Sequence, residues 1–159
     1  MKKRQAISDY IESLLKAEIL NRFPLCGKFE VTEKPFTNHH INNDSSISEY
    51  YNLIRICNLC HDDITEHKAD SKRTRKVKQV KKDLFRNLIG SASYEVLLLA
   101  YQHDITSTLP CLASTLLKLN LVSVKQENPF KVGLAYHPTI TDYAISSRGK
   151  KLVTDLSLK

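Results

Sequence analysis

The stretch "TNHHINNDSSISEYYNLIRICNLCHDD", residues 37–63, carries three of the chain's six histidines and two of its four cysteines. Neighbouring side chains on an extended strand point to opposite sides, so of the adjacent pair His39 and His40 one can face a metal while the other faces a water. His61 opens what reads as a helix, with Asp62 and Asp63 suited to its positive end. Cys57-x-x-Cys60 has the spacing of a metal-ligand pair or of a redox pair. A redox pair calls for a strand before it and a helix after it in a thioredoxin-like context, and "SSISEYYNLIRIC" reads instead as a loop and a short turn.

Upstream, residues 5–21 read as an amphipathic helix through Ile7, Tyr10, Ile11, Leu14, Leu15 and Ile19, stopped by Pro24. "LCGKFEV" and "PFTNHHI" then read as short strand-like pieces with a connection containing Pro35, a β-hairpin or a loop leading to one. Downstream, residues 68–86 hold nine cationic residues against two acidic ones, which accounts for the whole net charge of +7. Val77, Val80, Leu84 and Leu88 recur there at helical spacing, giving a helix with one apolar stripe that ends near Gly90. A charge run is commonly a solvated face. A nearly single-signed run also suits a polyanion, and Lys72, Arg73, Arg75, Lys76, Lys78, Lys81 and Lys82 are the candidate phosphate contacts.

With 159 residues the chain can bury a core without disulfides. Its amino-terminal residues mix charge with apolar side chains, so no leader or membrane span is expected. The expectation is a cytoplasmic protein with reduced cysteines and no membrane partner.

The histidine stretch resembles the HNH endonucleases, the ββα-metal nuclease family. The resemblance rests on "HHI" at 39–41, "NLI" at 52–54 and "CNLCH" at 57–61, in the family's order, and covers about residues 25–68. It implies that His40 is the general base, that His39 and His61 hold a catalytic Mg²⁺, Mn²⁺, Ni²⁺ or Zn²⁺, and that Asn52 braces the loop between hairpin and helix. Many members also hold a structural zinc on two C-x-x-C pairs. Here Cys57 and Cys60 form one pair, while Phe23 stands where the partner of Cys26 is expected. Either another residue completes a Cys26, Cys57 and Cys60 zinc site or the thiols are ordinary side chains. Thr65 stands where some relatives have another histidine, and His67 reads as solvated or phosphate-facing.

After Gly90 the pattern changes. Ser91 or Ser93 would cap a helix over 94–102, and Ser107 or Thr108 a second one with Pro110 in its first turn and Asn120 at its end. Then come "LVSVKQ", a turn at Asn128-Pro129, "FKVGLAY", "TDYAIS" and a last helix. This half resembles winged-helix DNA-binding domains, most in "STLLKLNLVSVK" and "DYAISSRGKKLV". By that resemblance Ser114, Thr115 and Lys118 lie on a recognition helix and Lys125 and Lys131 on the wing. The space between Gln102 and Leu109 is short for the helix such domains place there. Cys111 reads as a core residue.

Taken together, the sequence predicts an α+β protein. Residues 1–90 form a ββα-metal HNH core with flanking helices, and residues 91–159 a winged-helix-like domain for DNA binding or dimerisation. The expected activity is metal-dependent hydrolysis of DNA, with a homodimer favoured if both strands are cut. Cleavage of RNA or of nicked, branched or modified DNA stays open. The alternative is a non-catalytic DNA-binding module whose zinc-ribbon-like half is structural.

Overall fold

The computed structural model describes residues 5–29, 36–68, 70–128, 131–132, 135–136 and 140–158. It is an α+β chain in two compact units, Met1–Leu88 and Ile89–Lys159. No described helix is long and apolar enough to cross a membrane.

In the first unit Ser8 caps helix α1 (Asp9–Ile19) by accepting the Ile11 N–H, and Leu20 ends it in the left-handed region, before Pro24 is reached. Strand β1 (Phe36–His40) pairs antiparallel with β2 (Leu53–Cys57), with His39 opposite Ile54 and His40 opposite Leu53. The hairpin partner is therefore "LIRIC", read from sequence as loop and turn, and not "LCGKFEV". All five β2 residues are buried, Arg55 included, so the strand has no solvent-facing row, and the β-branched Ile54 and Ile56 are its main signal. Residues 30–35, with the expected Pro35 connection, lie outside the described residues. Helix α2 (Asn58–Glu66) follows β2 directly, and α3 (Ser71–Ile89) starts where the Asp70 carboxylate accepts the Lys72 N–H. Ile41, Ile54, Ile56 and Val77 form the core under the hairpin, with Ile64, Val80 and Leu84 against them.

Among the basic residues of α3, Lys81 corrects the sequence reading. It is fully buried, with Nζ 2.8 Å from each oxygen of the equally buried Glu18 carboxylate, and cannot reach a phosphate. Its position four residues after Val77 and three before Leu84 puts it on the apolar stripe, where its charge requires a partner. Arg73 is engaged too, by Asp63 of α2 and by Asp70. Lys72, Arg75, Lys76, Lys78 and Arg86 are exposed, and Lys82 is half-buried.

The second unit runs α4 (Ser91–His103), β3 (Ile105–Thr108), α5 (Pro110–Lys118), β4 (Val122–Asn128), β5 (Lys131–Val132), β6 (Ala135–Tyr136), β7 (Ile140–Ile145) and α6 (Ser147–Asp155). β7 lies between β3 and β4, both antiparallel to it. Gly90, at φ +81°, precedes α4 in the capping position expected of a serine; Ser91 is already helical and Ser93 is buried. Ser107 and Thr108 belong to β3 and do not cap α5, which Leu109 precedes with no side-chain cap. The short space before α5 is thus a strand. Asn120 adopts φ 55° after α5, and the Asn120 and Leu121 N–H groups donate to the Leu117 and Leu116 carbonyls, the paired bonds of a Schellman ending. Ser114 and Lys118 are exposed on α5 and Thr115 is half-buried; Lys125 is exposed on β4. Cys111 is exposed and not in the core. The Asn128-Pro129 turn and the Lys131 side chain fall outside the described residues.

Candidate active site

The hairpin and α2 bring their histidines together. Buried His39, near the end of β1, meets His61 of α2 edge to face, with ring centroids 5.4 Å apart. His40, the last residue of β1, turns onto the same cleft, so strand alternation does not separate the pair. The cleft has a volume of about 320 Å³ and is also lined by Asn43, Ser45, Thr65 and Lys68. None of the described lining residues is acidic. Asn43, Ser45 and Lys68 are cleft residues that spacing alone did not single out. Nearby, Asn38 donates its amide to Glu12 while its Oδ1 is buried with no described hydrogen-bond partner, a cost of about 1–3 kcal/mol unless a donor or cation reaches it.

Burial, then the repulsion of His61, His40 and Lys68, lowers the His39 pKa to about 4. Its ring is therefore neutral at ordinary pH, the form in which imidazole ligates metals. Two imidazoles from different elements, lining one open cleft, are the kind of donors that take a divalent ion with exchangeable remaining positions. In metal-free protein the same shift makes stability depend on pH. An unfolded chain takes up this proton near 6.5 and the folded one near 4. The unfolded state thus binds more protons between these values, and stability falls as pH is lowered through that window, by up to about 3 kcal/mol. Urea unfolding at successive pH values checks this, and a His39→Gln variant should lose most of the slope.

Asn52 is 2% exposed. Its Oδ1 accepts the Asn42 N–H at 3.0 Å and its Nδ2 donates to the Ile47 carbonyl at 2.8 Å. The loop it braces joins β1 to β2, inside the hairpin, and is not the one between hairpin and helix. His67 donates Nδ1–H to the Asp63 carbonyl at 2.9 Å, closing α2. Asp63, held below the usual carboxylate range by its hydrogen bond to Arg73, ties α2 to α3 and is no ligand.

The cysteines gather at the start of α2. Cys57 ends β2 and stands before the helix, Cys60 lies in its first turn, and Cys26 sits in a tight turn after α1 where Gly27 adopts φ +69°. The three sulfurs lie within 4.8 Å of one another, with Cys26 and Cys57 3.7 Å apart. Sulfurs sharing a tetrahedral zinc stand about 3.8 Å apart, so the three are placed to hold a metal ion. They form the only group of three or more such ligand residues among the described residues. Burial raises the Cys57 thiol, but hydrogen bonds from the Cys60 and Leu59 backbone and from the Cys60 and Cys26 side chains outweigh it and lower its pKa. Burial and those two sulfurs push Cys60 up to about 12. A strand precedes this pair, where the sequence reads as a loop and a short turn, and the expected helix follows it.

No protein-family model, curated protein or solved structure matches this chain. Any functional assignment therefore stands on the geometry of the cleft and on the chemistry of its side chains.

Proposed function

We propose that the first unit is a metal-dependent HNH-type endonuclease that hydrolyses phosphodiester bonds in DNA. The observation that carries this reading is the convergence of His39, His40 and His61 in one cleft with no acidic lining residue described and Lys68 at its edge. Carboxylates would repel a phosphodiester, whereas imidazoles and an ammonium accept one. The element order of hairpin and then helix agrees with a ββα-metal core.

In this reading His39 and His61 hold the divalent ion, which when bound supplies positive charge to the scissile phosphate and the departing oxygen. His40 takes a proton from a water whose oxygen forms a bond to phosphorus, and the ester oxygen opposite leaves with the electron pair of the broken P–O bond. Asn52 keeps the loop beside His40 in place. Lys72, Arg75, Lys76, Lys78 and Arg86 of α3 give affinity through phosphates without reading sequence. Each such contact contributes about 0.9 to the slope of log affinity against log salt concentration. Replacing Arg75 and Lys76 together by alanine should flatten that slope by roughly 2, measured by fluorescence anisotropy on duplexes of two unrelated sequences. An unchanged slope would remove α3 from the interface.

The second unit, in this reading, is a winged-helix-like module that adds DNA affinity through Ser114, Thr115 and Lys118 or joins two copies of the chain. The test of the activity is incubation of the purified chain with plasmid, linear duplex and RNA under a panel of Mg²⁺, Mn²⁺, Ni²⁺ and Zn²⁺. Cleavage that stops with chelator and returns with metal is expected. Intact substrate under every ion would sink the proposal. The three-sulfur cluster favours a second reading, a non-catalytic DNA-binding module built on a structural zinc at Cys26, Cys57 and Cys60. Sulfur-ligated zinc that survives mild chelation, together with DNA binding and no cleavage, would select it.

A further inference from the structure

We propose that Cys26 and Cys57 join as a reversible disulfide when a hydroperoxide reaches the metal-free chain, a modification site at the junction of β2 and α2. The inference stands apart from the nuclease reading, because it uses neither the histidine cleft nor any substrate. Folding brings these two thiols, thirty-one residues apart in sequence, to a sulfur–sulfur distance of 3.7 Å. A disulfide holds its sulfurs at about 2.05 Å, so bonding calls for an approach of about 1.7 Å, which rotation of the two side chains can supply. The backbones that carry the thiols are fixed by other contacts. Phe23 and Cys57 are buried together with Ile19. The Phe23 N–H donates to the Lys28 carbonyl and the Gly27 N–H to the Phe23 carbonyl, both at 2.8 Å, which closes the turn that carries Cys26. Cys57 is held from the other side by its place opposite Phe36 at the end of the hairpin.

Exposure orders the chemistry. Cys26 is exposed and Cys57 is buried, so the oxidant meets Cys26 first. Its sulfur attacks an oxygen of the hydroperoxide; an S–O bond forms, the O–O bond breaks, and the other oxygen departs with the thiol proton as an alcohol or water. The Cys57 sulfur then attacks the sulfur of this sulfenic acid. An S–S bond forms, the S–O bond breaks, and hydroxide leaves with the Cys57 proton as water. Two thiols are oxidised and one peroxide is reduced. Cys60, whose sulfur also lies within 4.8 Å, is the competing partner. A sulfur in a disulfide has no thiolate to give a metal, so oxidation and metal binding at these sulfurs exclude each other. The loop that the bond closes runs from residue 26 to residue 57 and contains β1 and the loop that leads to β2. Closing it restricts the unfolded chain and so favours the folded one.

The experiment uses the full-length chain with Cys111→Ser, which removes the exposed thiol of the second unit, after reduction and removal of metal by chelator. Hydrogen peroxide is added, the remaining thiols are alkylated, and tryptic peptides are read by mass spectrometry. The oxidised protein should yield peptides 23–28 and 56–68 joined, lighter by two hydrogen atoms than the separate pair and carrying one alkylated cysteine. Dithiothreitol should part them. The link should persist in Cys60→Ser, which leaves Cys57 as the partner. In urea the oxidised protein should unfold at a higher midpoint than the reduced one, and Cys26→Ser, a change at an exposed position, should abolish that shift. Peptides that stay separate, a link lost in Cys60→Ser, an oxidised midpoint below the reduced one, or a chain that unfolds once its metal is removed would each overturn the proposal.

Discussion

Replacing His40 by alanine is expected to lower DNA cleavage by about a hundred- to ten-thousandfold, the range over which a positioned general base contributes. The ring is half-buried at the end of β1 and lines the cleft beside His39 and His61. Removing it deletes the proton acceptor and leaves both proposed metal-holding rings in place. DNA affinity and bound divalent metal should therefore match the parent, and the loss should fall on kcat. His39→Ala differs in kind: it removes a buried ring, so metal affinity and stability should fall along with activity. A folded His40→Ala protein that binds DNA and cuts at the parental rate with metal would eliminate the mechanism.

Lys81→Ala is expected to destabilise the first unit by about 3–5 kcal/mol, against a total of about 5–15 kcal/mol for an ordinary domain. Lys81 Nζ is held at 2.8 Å by both Glu18 oxygens and lies 3.5 Å from the centroid of the Tyr50 ring, and both charged side chains are 0% exposed. The Tyr50 hydroxyl also donates to Glu18, so α1, the short 3-10 turn Tyr50–Asn52 and α3 meet on one carboxylate. Burial raises the Glu18 carboxyl and lowers the Lys81 ammonium to about 8, so each charge depends on the other to persist. Truncating Lys81 strands Glu18 without a counter-ion and opens a cavity. The triple variant Lys81→Met, Glu18→Leu, Tyr50→Phe removes all three polar groups together and should unfold in urea within about 1 kcal/mol of the parent or above it. A single Lys81→Ala variant as stable as the parent would show that the pair is not buried as described.

These two residues mark where pattern reading works and where it stops. His39, His40 and His61 could be grouped from sequence because their residue types and order carry chemistry, and the structure places them in one cleft. Charge alone groups Lys81 with eight other cations, although its place between Val77 and Leu84 already puts it on the apolar stripe. Glu18 lies sixty-three residues away, and no local pattern pairs them. β2 escapes pattern reading because it is only five residues long and all of them, Arg55 included, are buried, leaving no solvent-facing row to announce it.

The sequence by itself determined the α+β class, the helices with apolar stripes or Gly and Asn endings, and the residue types available for metal and proton chemistry. These follow from local spacing and side-chain identity, which do not depend on what lies across the fold. The tertiary structure alone decided the hairpin partner of β1, the burial of Lys81 with Glu18, the exposure of Cys111 and the meeting of Cys26 with Cys57 and Cys60. Each of those is a contact between residues distant in sequence or a competition between burial and hydration, and such contacts exist only once the chain has closed on itself.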